Sequence, residues 1–288
     1  MFSIASPAAV PNDVEEIDLP FVLGRMNFSQ AIARATSNLL DPAKTYRPLE
    51  THEVKIRDAR PIRGRLDLDT EGFVLLDHTS SVSHLRDPKQ LEGVYHNEIG
   101  PLIKEATGAD VVIPYRTYCQ VRLSQRAPGE NGDETTRPAG FVHADVTEKT
   151  FRQWVSWVQQ AEAVTVPPYR RVALYNAWRA VSPPPQDFPL ALADGLSVKS
   201  GKYVVMDNVT GLEGEGPSVE TRLALYDPDN KWYYFSNMRA SELIVFKTYD
   251  SKFNDDQTVM HSSFNNTARY PDATPRESIE ARFFAFWL

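Results

Sequence analysis

Short apolar runs separated by turn-forming residues dominate the pattern of hydrophobic and polar positions along this chain. In the first half, HEVKIRDAR, GFVLLDH and DVVIPYRTYCQVRLSQ have the length and the β-branched or aromatic content of strands. Further runs follow in the second half: RRVALYNAWRAV, KYVVMDN, TRLALYD, KWYYFSN, ELIVFKTYD and ESIEARFFAFWL. Turn signals recur between them, at residues 183–185, 211–216 and 227–230. This pattern predicts a mainly β fold, a sandwich or a barrel, with flanking helices.

Helical periodicity is confined to a few stretches. Residues 88–107 carry apolar positions at helical spacing and end at Gly108, which suits a helix C-cap. Residues 148–163, EKTFRQWVSWVQQAEA, predict a second helix. The mixtures in residues 1–45, such as SQAIARATSNLL, predict one or two short helices, with Asp13 as an N-cap before VEEI. We therefore expect one domain over residues 1–288 that begins with a helical extension.

Composition and charge narrow the class of protein. A hydrophobic content of 42% over 288 residues is enough to bury a sizeable core. The net charge of −7, without a run of basic residues, disfavours nucleic acid and anionic membranes as partners. The single cysteine, Cys119, excludes an internal disulfide framework. The N-terminal segment MFSIASPAAVPNDVEEID has no basic region and no long apolar region, so we do not expect it to be a secretory signal. No run approaches the roughly 18 apolar residues of a membrane span. We expect a soluble, cytoplasmic protein.

The candidate chemistry lies in the stretch PAGFVHADVT, residues 138–147, whose apolar flanks predict a strand. Alternate side chains of a strand point to the same face, so His143 and Asp145 project together. One imidazole and one carboxylate are two thirds of the 2-His-1-carboxylate triad, which holds Fe(II) and leaves other positions open. The triplet also occurs by chance, in which case a strand-end histidine stands beside a solvated aspartate.

A third ligand has to come from a strand further along the chain. Of the six histidines, His261 is the only one after the triplet, which makes it the default third ligand. The earlier ones suit surface or helix positions; they are His52, His78, His84 and His96.

Arg276 and Ser278, at the start of the last strand, share a face, and both can bind a carboxylate. The guanidinium forms a bidentate, charge-assisted pair and the hydroxyl adds one donor. An oxygenase that uses a 2-oxo acid needs such a cation just beyond the metal, although a surface position is the plainer alternative. Arg282 is a second candidate anchor, unless it pairs with Glu280 or contacts the substrate. An extended strand rises about 3.3 Å per residue, so the two arginines are roughly 20 Å apart and cannot both hold one small dicarboxylate.

The strand RRVALYNAWRAV carries further polar and aromatic side chains. Asn176 and Trp178 lie on one face of it, and Tyr175 and Arg179 on the other, because side chains alternate along a strand. These residues either contribute to the pocket or give the strand ordinary amphipathic packing, and both interpretations stay open.

The HAD triplet, a later histidine and Arg-x-Ser on the final strand together resemble the Fe(II)/2-oxoglutarate-dependent oxygenases of double-stranded β-helix (jelly-roll, cupin-like) fold. The strings KIRDAR, EGFVLLDH, VYHNEIGPLIKEATGAD, FVHADVT, YNAWRAV, FPLALAD, KWYYFSNM, ELIVFKTYDS, HSSF and PRESIEAR resemble one group within them. This group is the fungal hydroxylase/desaturase family related to gibberellin desaturases and to the small subunit of cephamycin 7α-methoxylase. The resemblance covers roughly residues 45–288.

This resemblance implies iron held by His143, Asp145 and His261, and 2-oxoglutarate held by Arg276. The sequence departs from the family pattern at Ala180 and in the loop GLEGEGPS. These departures concern the identity of the substrate and not the iron site. The implied reaction consumes O₂ and 2-oxoglutarate, releases succinate and CO₂, and hydroxylates, desaturates or cyclises a small molecule of a fungal secondary-metabolite pathway.

Two other functions use the same fold. A non-catalytic accessory or binding subunit would have no need of a complete triad and anchor. A cupin-like zinc hydrolase or isomerase would keep the three ligands but would have no use for Arg276. The sequence leaves open the substrate, the choice among the three reactions, and whether the chain forms a homodimer or works with a pathway partner.

Overall fold

Two β-sheets form the centre of the computed structural model, which describes residues 18–84, 87–125, 137–209, 219–254 and 256–288. In chain order the strands are β1 (Phe21–Ser29), β2 (Ala35–Asn38), β3 (Leu49–Asp58), β4 (Phe73–Asp77), β5 (Val111–Leu123), β6 (His143–Ala144), β7 (Arg171–Ala180), β8 (Leu190–Ala193), β9 (Tyr203–Val209), β10 (Val219–Ala224), β11 (Trp232–Tyr234), β12 (Glu242–Asp250), β13 (His261–Ser263) and β14 (Glu277–Trp287). The helices are α1 (Pro88–Gln90), a π-helical segment (Leu91–Tyr95), α2 (His96–Thr107) and α3 (Glu148–Ala161), with 3₁₀ turns at Pro42–Lys44, Arg60–Ile62 and Gly195–Ser197.

Strands that are distant in the sequence are neighbours in both sheets. Sheet A has nine strands in the order β1-β3-β11-β8-β13-β6-β10-β9-β2, and sheet B has five in the order β4-β12-β7-β14-β5. Most pairs are antiparallel, apart from β11 with β3 and β2 with β9. Strand β13 lies between β8 and β6, and this pairing sets His261 opposite His143.

Large apolar side chains fill the space between the sheets. Trp178, Ile244 and Phe246 of sheet B meet Leu192 and Tyr233 of sheet A. Each of these side chains is at most 3% exposed. Full burial of a side chain of this size is worth about 1.5–3 kcal/mol. This layer therefore holds the two sheets together and keeps the strands of the candidate site in place.

Helices α2 and α3 each pack an apolar face against sheet B. The apolar face of α2, with Ile99 and Ile103, packs against Tyr175 and Phe283. Helix α2 ends at Gly108, whose φ of 64° is the left-handed conformation that the C-cap requires. Both predicted helices and their surrounding strands are confirmed by the structure, and so is the mainly β fold.

The predicted helical extension is wrong for residues 18–45. Strands β1 and β2 lie here, together with the 3₁₀ turn Pro42–Lys44. The segment FVLGRMNFS alternates between exposed and buried positions, a period of two, and pairs with β3 along its whole length. Pairing with β3 and burial of one strand face outweigh the local helix preference of this segment. The buried face also fixes the register of the pairing.

Several predicted features lie outside the described residues. They are the N-cap at Asp13, the turn at residues 211–216 with the GLEGEGPS loop, and most of the loop RAPGENGDETTRPAG. The extent of the domain over residues 1–288 stays a prediction.

Candidate active site

Three side chains converge where β6 and β13 pair. His143 lies on β6, Asp145 follows it directly, and His261 begins β13. The imidazole centroids of the two histidines are 4.3 Å apart, since these residues are directly opposite in the antiparallel pair. One ligand atom from each of the three residues lies within 4.8 Å of the others. This is the only such group of His, Cys, Asp or Glu within the residues that the structure describes.

Backbone carbonyls orient both imidazoles. Nδ1 of His143 is 3.0 Å from the carbonyl oxygen of Phe141, and Nδ1 of His261 is 3.2 Å from that of Val259. A carbonyl oxygen can only accept, so each Nδ1 carries the proton and each Nε2 keeps its lone pair. The Nε2 atoms of His143 and His261 are 3.5 and 3.8 Å from Oδ1 of Asp145. The two lone pairs and one carboxylate oxygen thus face a common point.

The protonation states suit a cation. Burial, and after it the neighbouring His143, lowers the pKa of His261 to about 4, so this imidazole is neutral at pH 7. Burial alone would raise the pKa of Asp145, but the charge of Arg282 outweighs it and holds that pKa well below its usual value. The neutral imidazole of His261, the imidazole of His143 and the ionised carboxylate of Asp145 form the donor set of a 2-His-1-carboxylate Fe(II) site, so the residues present fit the metal.

The second oxygen of Asp145 is occupied by the protein itself. Oδ2 accepts a hydrogen bond from Nδ2 of Asn176 at 2.6 Å and forms an ion pair with Nη2 of Arg282 at 3.0 Å. Arg282 also approaches Glu280, at 3.5 Å, as the sequence suggested.

Arg276 lines a small cavity of about 20 Å³ together with His143 and His261. The arginine is 2% exposed, and its Nη1 donates to the Phe188 carbonyl at 2.7 Å. Its Nε has no hydrogen-bond partner among the described residues, and neither has Oγ of Ser278, which is 1% exposed. Burial, and then Arg122, lowers the pKa of Arg276 to about 9. A buried cation and a buried hydroxyl with unused donors fit a carboxylate ligand.

A larger cavity of about 650 Å³ is lined by His143 and Asp145 but not by His261. Aromatic side chains form much of its wall, among them Tyr115, Trp154 and Trp157. Arg282 borders this cavity and not the small one, with its guanidinium 3.5 Å above the centre of the Tyr118 ring.

The structure brings together the triad that the sequence suggested and sets Arg276 beside it. The earlier histidines described here lie elsewhere: His52 stacks on Tyr226 at 3.8 Å, His78 accepts from Arg179, and Nδ1 of His96 bonds to the Leu91 carbonyl. Sequence reasoning missed Arg122, which borders both cavities, and left Asn176 undecided. Arg122 faces Ser278 in the β5–β14 pair, and the sequence carries no signal for that register.

The fold and the site define a class: a double-stranded β-helix protein with the geometry of the Fe(II)/2-oxoglutarate-dependent oxygenases. Residues 26–286 match the family model described as "Oxidoreductase/YMDC permease-like domain". The chain is 31% identical over 241 residues to the Fe(II)/2-oxoglutarate-dependent dioxygenase nvfI of Aspergillus novofumigatus, covering 82% of this chain and 83% of the relative. The hydroxylase/desaturase efuI of Hormonema carpetanum is 31% identical over 253 residues, with coverage of 82% and 84%. The gibberellin cluster GA4 desaturase of Gibberella fujikuroi is 26% identical over 300 residues, with coverage of 81% and 86%.

Solved structures agree with these relatives. The iron and alpha-ketoglutarate-dependent endoperoxidase NvfI superposes with a TM-score of 0.76 at 26% identity, covering 93% of this chain and 98% of that one. The chain belongs to the fungal Fe(II)/2-oxoglutarate-dependent hydroxylase/desaturase family, and the predicted jelly-roll core and family are confirmed. It is therefore a dioxygenase that uses Fe(II), 2-oxoglutarate and O₂ on a small-molecule substrate. Within its described part, no helix is long and apolar enough to cross a membrane.

Proposed function

We propose that His143, Asp145 and His261 bind the iron of this dioxygenase, and that Arg276 with Ser278 binds the distal carboxylate of 2-oxoglutarate. The observation that carries the proposal is the convergence of two imidazole Nε2 atoms and one carboxylate oxygen within 4.8 Å. When bound, the iron supplies O₂ activation, coupled to decarboxylation of 2-oxoglutarate to succinate and CO₂.

The protein's own residues orient the metal ligands and enclose the co-substrate and the substrate. The Phe141 and Val259 carbonyls hold both imidazoles with Nε2 unprotonated. Arg276 offers an unused, charged donor inside the small cavity, where a carboxylate would relieve the cost of burying it. The larger cavity, with its aromatic wall, takes the organic substrate.

We assign hydroxylation or desaturation of a small molecule from a fungal secondary-metabolite pathway to this chain, because its relatives carry the names dioxygenase and hydroxylase/desaturase. Nothing found supports the accessory subunit, and the zinc alternative leaves the buried donors of Arg276 without a purpose. A cytoplasmic location, and either a homodimer or a pathway partner, stay predictions.

The test measures succinate and iron in parallel. Protein incubated with Fe(II), ascorbate and 2-oxoglutarate should release succinate, and His261→Ala should abolish both the release and tight anaerobic Fe(II) binding. His52→Ala is the matched control, because that histidine stacks on Tyr226 away from the triad. If folded wild-type protein binds iron yet forms no succinate, even with pathway intermediates, the result would favour the alternative function of a non-catalytic accessory subunit. Iron affinity of the wild-type level in His261→Ala would remove His261 from the site.

A further inference from the structure

The carboxylate of Asp145 is held from the opposite sheet. Asp145 follows β6 of sheet A, whereas its two partners, the hydrogen-bond donor Asn176 and the cation Arg282, lie on β7 and β14 of sheet B. These donors are directly opposite each other in the β7–β14 register, so their side chains leave the same face of the sheet. Both reach the same oxygen, Oδ2, at 2.6 and 3.0 Å.

Both donors are themselves held in place. Oε1 of Glu280 accepts from Asn176 at 3.3 Å and lies 3.5 Å from Arg282. The Tyr118 hydroxyl is 3.1 Å from the same oxygen, and its ring lies under the guanidinium of Arg282 at 3.5 Å. Asn176 is 0% exposed, Arg282 5%, Glu280 7% and Asp145 7%, so water does not compete for these bonds. Neither donor can leave Oδ2 without breaking a second buried contact.

We infer that Asn176 and Arg282 are positioning residues, which hold Asp145 so that only Oδ1 faces the metal; this inference rests on the proposed iron site. With Oδ2 engaged by Asn176 and Arg282, Oδ1 is the oxygen that lies 3.5 and 3.8 Å from the Nε2 atoms of His143 and His261. A second carboxylate oxygen on the metal would occupy a position that the triad has to leave open for the co-substrate or O₂. Partners of this kind commonly change metal affinity about 10–100-fold when they are replaced.

A purely electrostatic role for Arg282 is the competing explanation, since its charge also balances that of Asp145. Asn176 separates the two explanations because it is neutral. Replacing it with leucine preserves the shape and the charge balance, removes the hydrogen bond to Oδ2 and leaves the ion pair with Arg282 in place. Replacing Arg282 with methionine removes the cation as well, which by itself favours a bound metal ion. The metal spectrum, rather than the affinity alone, is therefore the deciding measurement for Arg282.

The experiment titrates Co(II) into the full-length protein without O₂ or 2-oxoglutarate and follows its visible absorption. Asn176→Leu should bind Co(II) about tenfold or more weakly and change the band shape, and Arg282→Met should change the band shape. Arg282→Lys, which keeps a charged donor, should restore most of the wild-type spectrum. Arg179→Met is the matched control: this buried arginine of β7 bonds to Tyr95 and His78 on the other face of the strand. It should leave the Co(II) spectrum unchanged.

The outcomes separate this inference from the proposed iron site. Folded wild-type protein that fails to bind Co(II) overturns the iron site and the inference together. If wild-type protein binds Co(II) and Asn176→Leu has the same spectrum and affinity, the inference alone is overturned. Arg282 then serves only to balance the charge of Asp145. If Asn176→Leu does not fold, as judged by circular dichroism, an unchanged spectrum in Arg282→Met overturns it instead. A changed spectrum in Arg282→Met that Arg282→Lys restores supports it.

Discussion

Single atoms decide the chemistry at the residue scale. The Nδ1 atoms of His143 and His261 each meet a carbonyl two residues earlier in the chain, and this leaves both Nε2 lone pairs unprotonated. Arg276 differs from Arg282, the buried arginine beside Asp145, in the direction of its pKa: burial and then Arg122 lower the pKa of Arg276 to about 9, whereas Asp145 outweighs burial and raises the pKa of Arg282. These features make Arg276 the candidate anchor for a carboxylate, and Arg282 a neighbour of Asp145.

Replacing Arg276 should weaken the binding of 2-oxoglutarate and leave the binding of the metal unchanged. A charge-assisted hydrogen bond is worth about 1.5–3 kcal/mol, and about 1.4 kcal/mol is one decade in affinity. Arg276→Ala should therefore raise the Kd for 2-oxoglutarate, measured calorimetrically on Co(II)-loaded protein, by about tenfold or more. Co(II) affinity should stay within about twofold of wild type.

The control for this measurement is Arg179→Ala, which removes a buried arginine whose bonds go to Tyr95 and His78. It should leave 2-oxoglutarate affinity unchanged. Tight 2-oxoglutarate binding in folded Arg276→Ala would mean that another cation, such as Arg122, anchors the co-substrate.

At the scale of elements, the short β6–β13 pair and helix α3 hold the site together. The HAD triplet runs directly into α3, whose N-cap is Thr147. The Thr147 hydroxyl accepts from the backbone N–H of Thr150 at 3.3 Å and donates to Oε2 of Glu220 at 2.8 Å. One side chain thus caps the helix that follows the triplet and connects this helix to β10.

Thr147→Ala should destabilise the protein without altering the donor set of the triad. The loss of an N-cap costs about 0.5–2 kcal/mol, and the buried Glu220 carboxylate loses one donor besides. The free energy of unfolding in urea measures this. Thr147→Ser keeps the hydroxyl and should recover most of the stability; equal losses in the serine and alanine variants would show that the methyl group, and not the cap, matters.

At the scale of the whole molecule, contacts between the two sheets carry both the core and the site. Besides the apolar layer, an ion pair crosses between them: Arg60, after β3, donates to both carboxylate oxygens of Glu242 on β12 at 2.7 and 2.8 Å. Burial alone would raise the pKa of Glu242, but the bonds from Arg60 outweigh it and lower that pKa below its usual value.

This pair predicts acid sensitivity of the fold. A carboxyl group whose pKa is lowered in the folded state stabilises that state above the unfolded value, about 4.3 for glutamate, and the stabilisation is lost as the pH falls through the folded value. Urea unfolding between pH 7 and 3 should show stability falling below about pH 4.3. Glu242→Gln should be about 1–3 kcal/mol less stable at pH 7 and should lose less on acidification. Parallel pH profiles for the two proteins would assign the acid sensitivity to other carboxyl groups.

The sequence by itself determined the strand content, both main helices, the triad candidates and the family. Local patterns record these features: apolar alternation, capping residues, and the spacing of His143 and Asp145 on one strand. His261 could be nominated because no other histidine follows the triplet.

Only the tertiary structure decided which side chains meet across the sheets. Within residues 18–45, β1 and β2 are strands because β3 and β9 are available to pair with them, and local propensity is weaker than such pairing. The role of Arg282 depends on its register opposite Asn176 and on the approach of sheet B to Asp145 in sheet A. Both contacts of Arg282 join residues more than a hundred positions apart in the sequence. No local pattern in the chain predicts them, since they follow from how the two sheets pack.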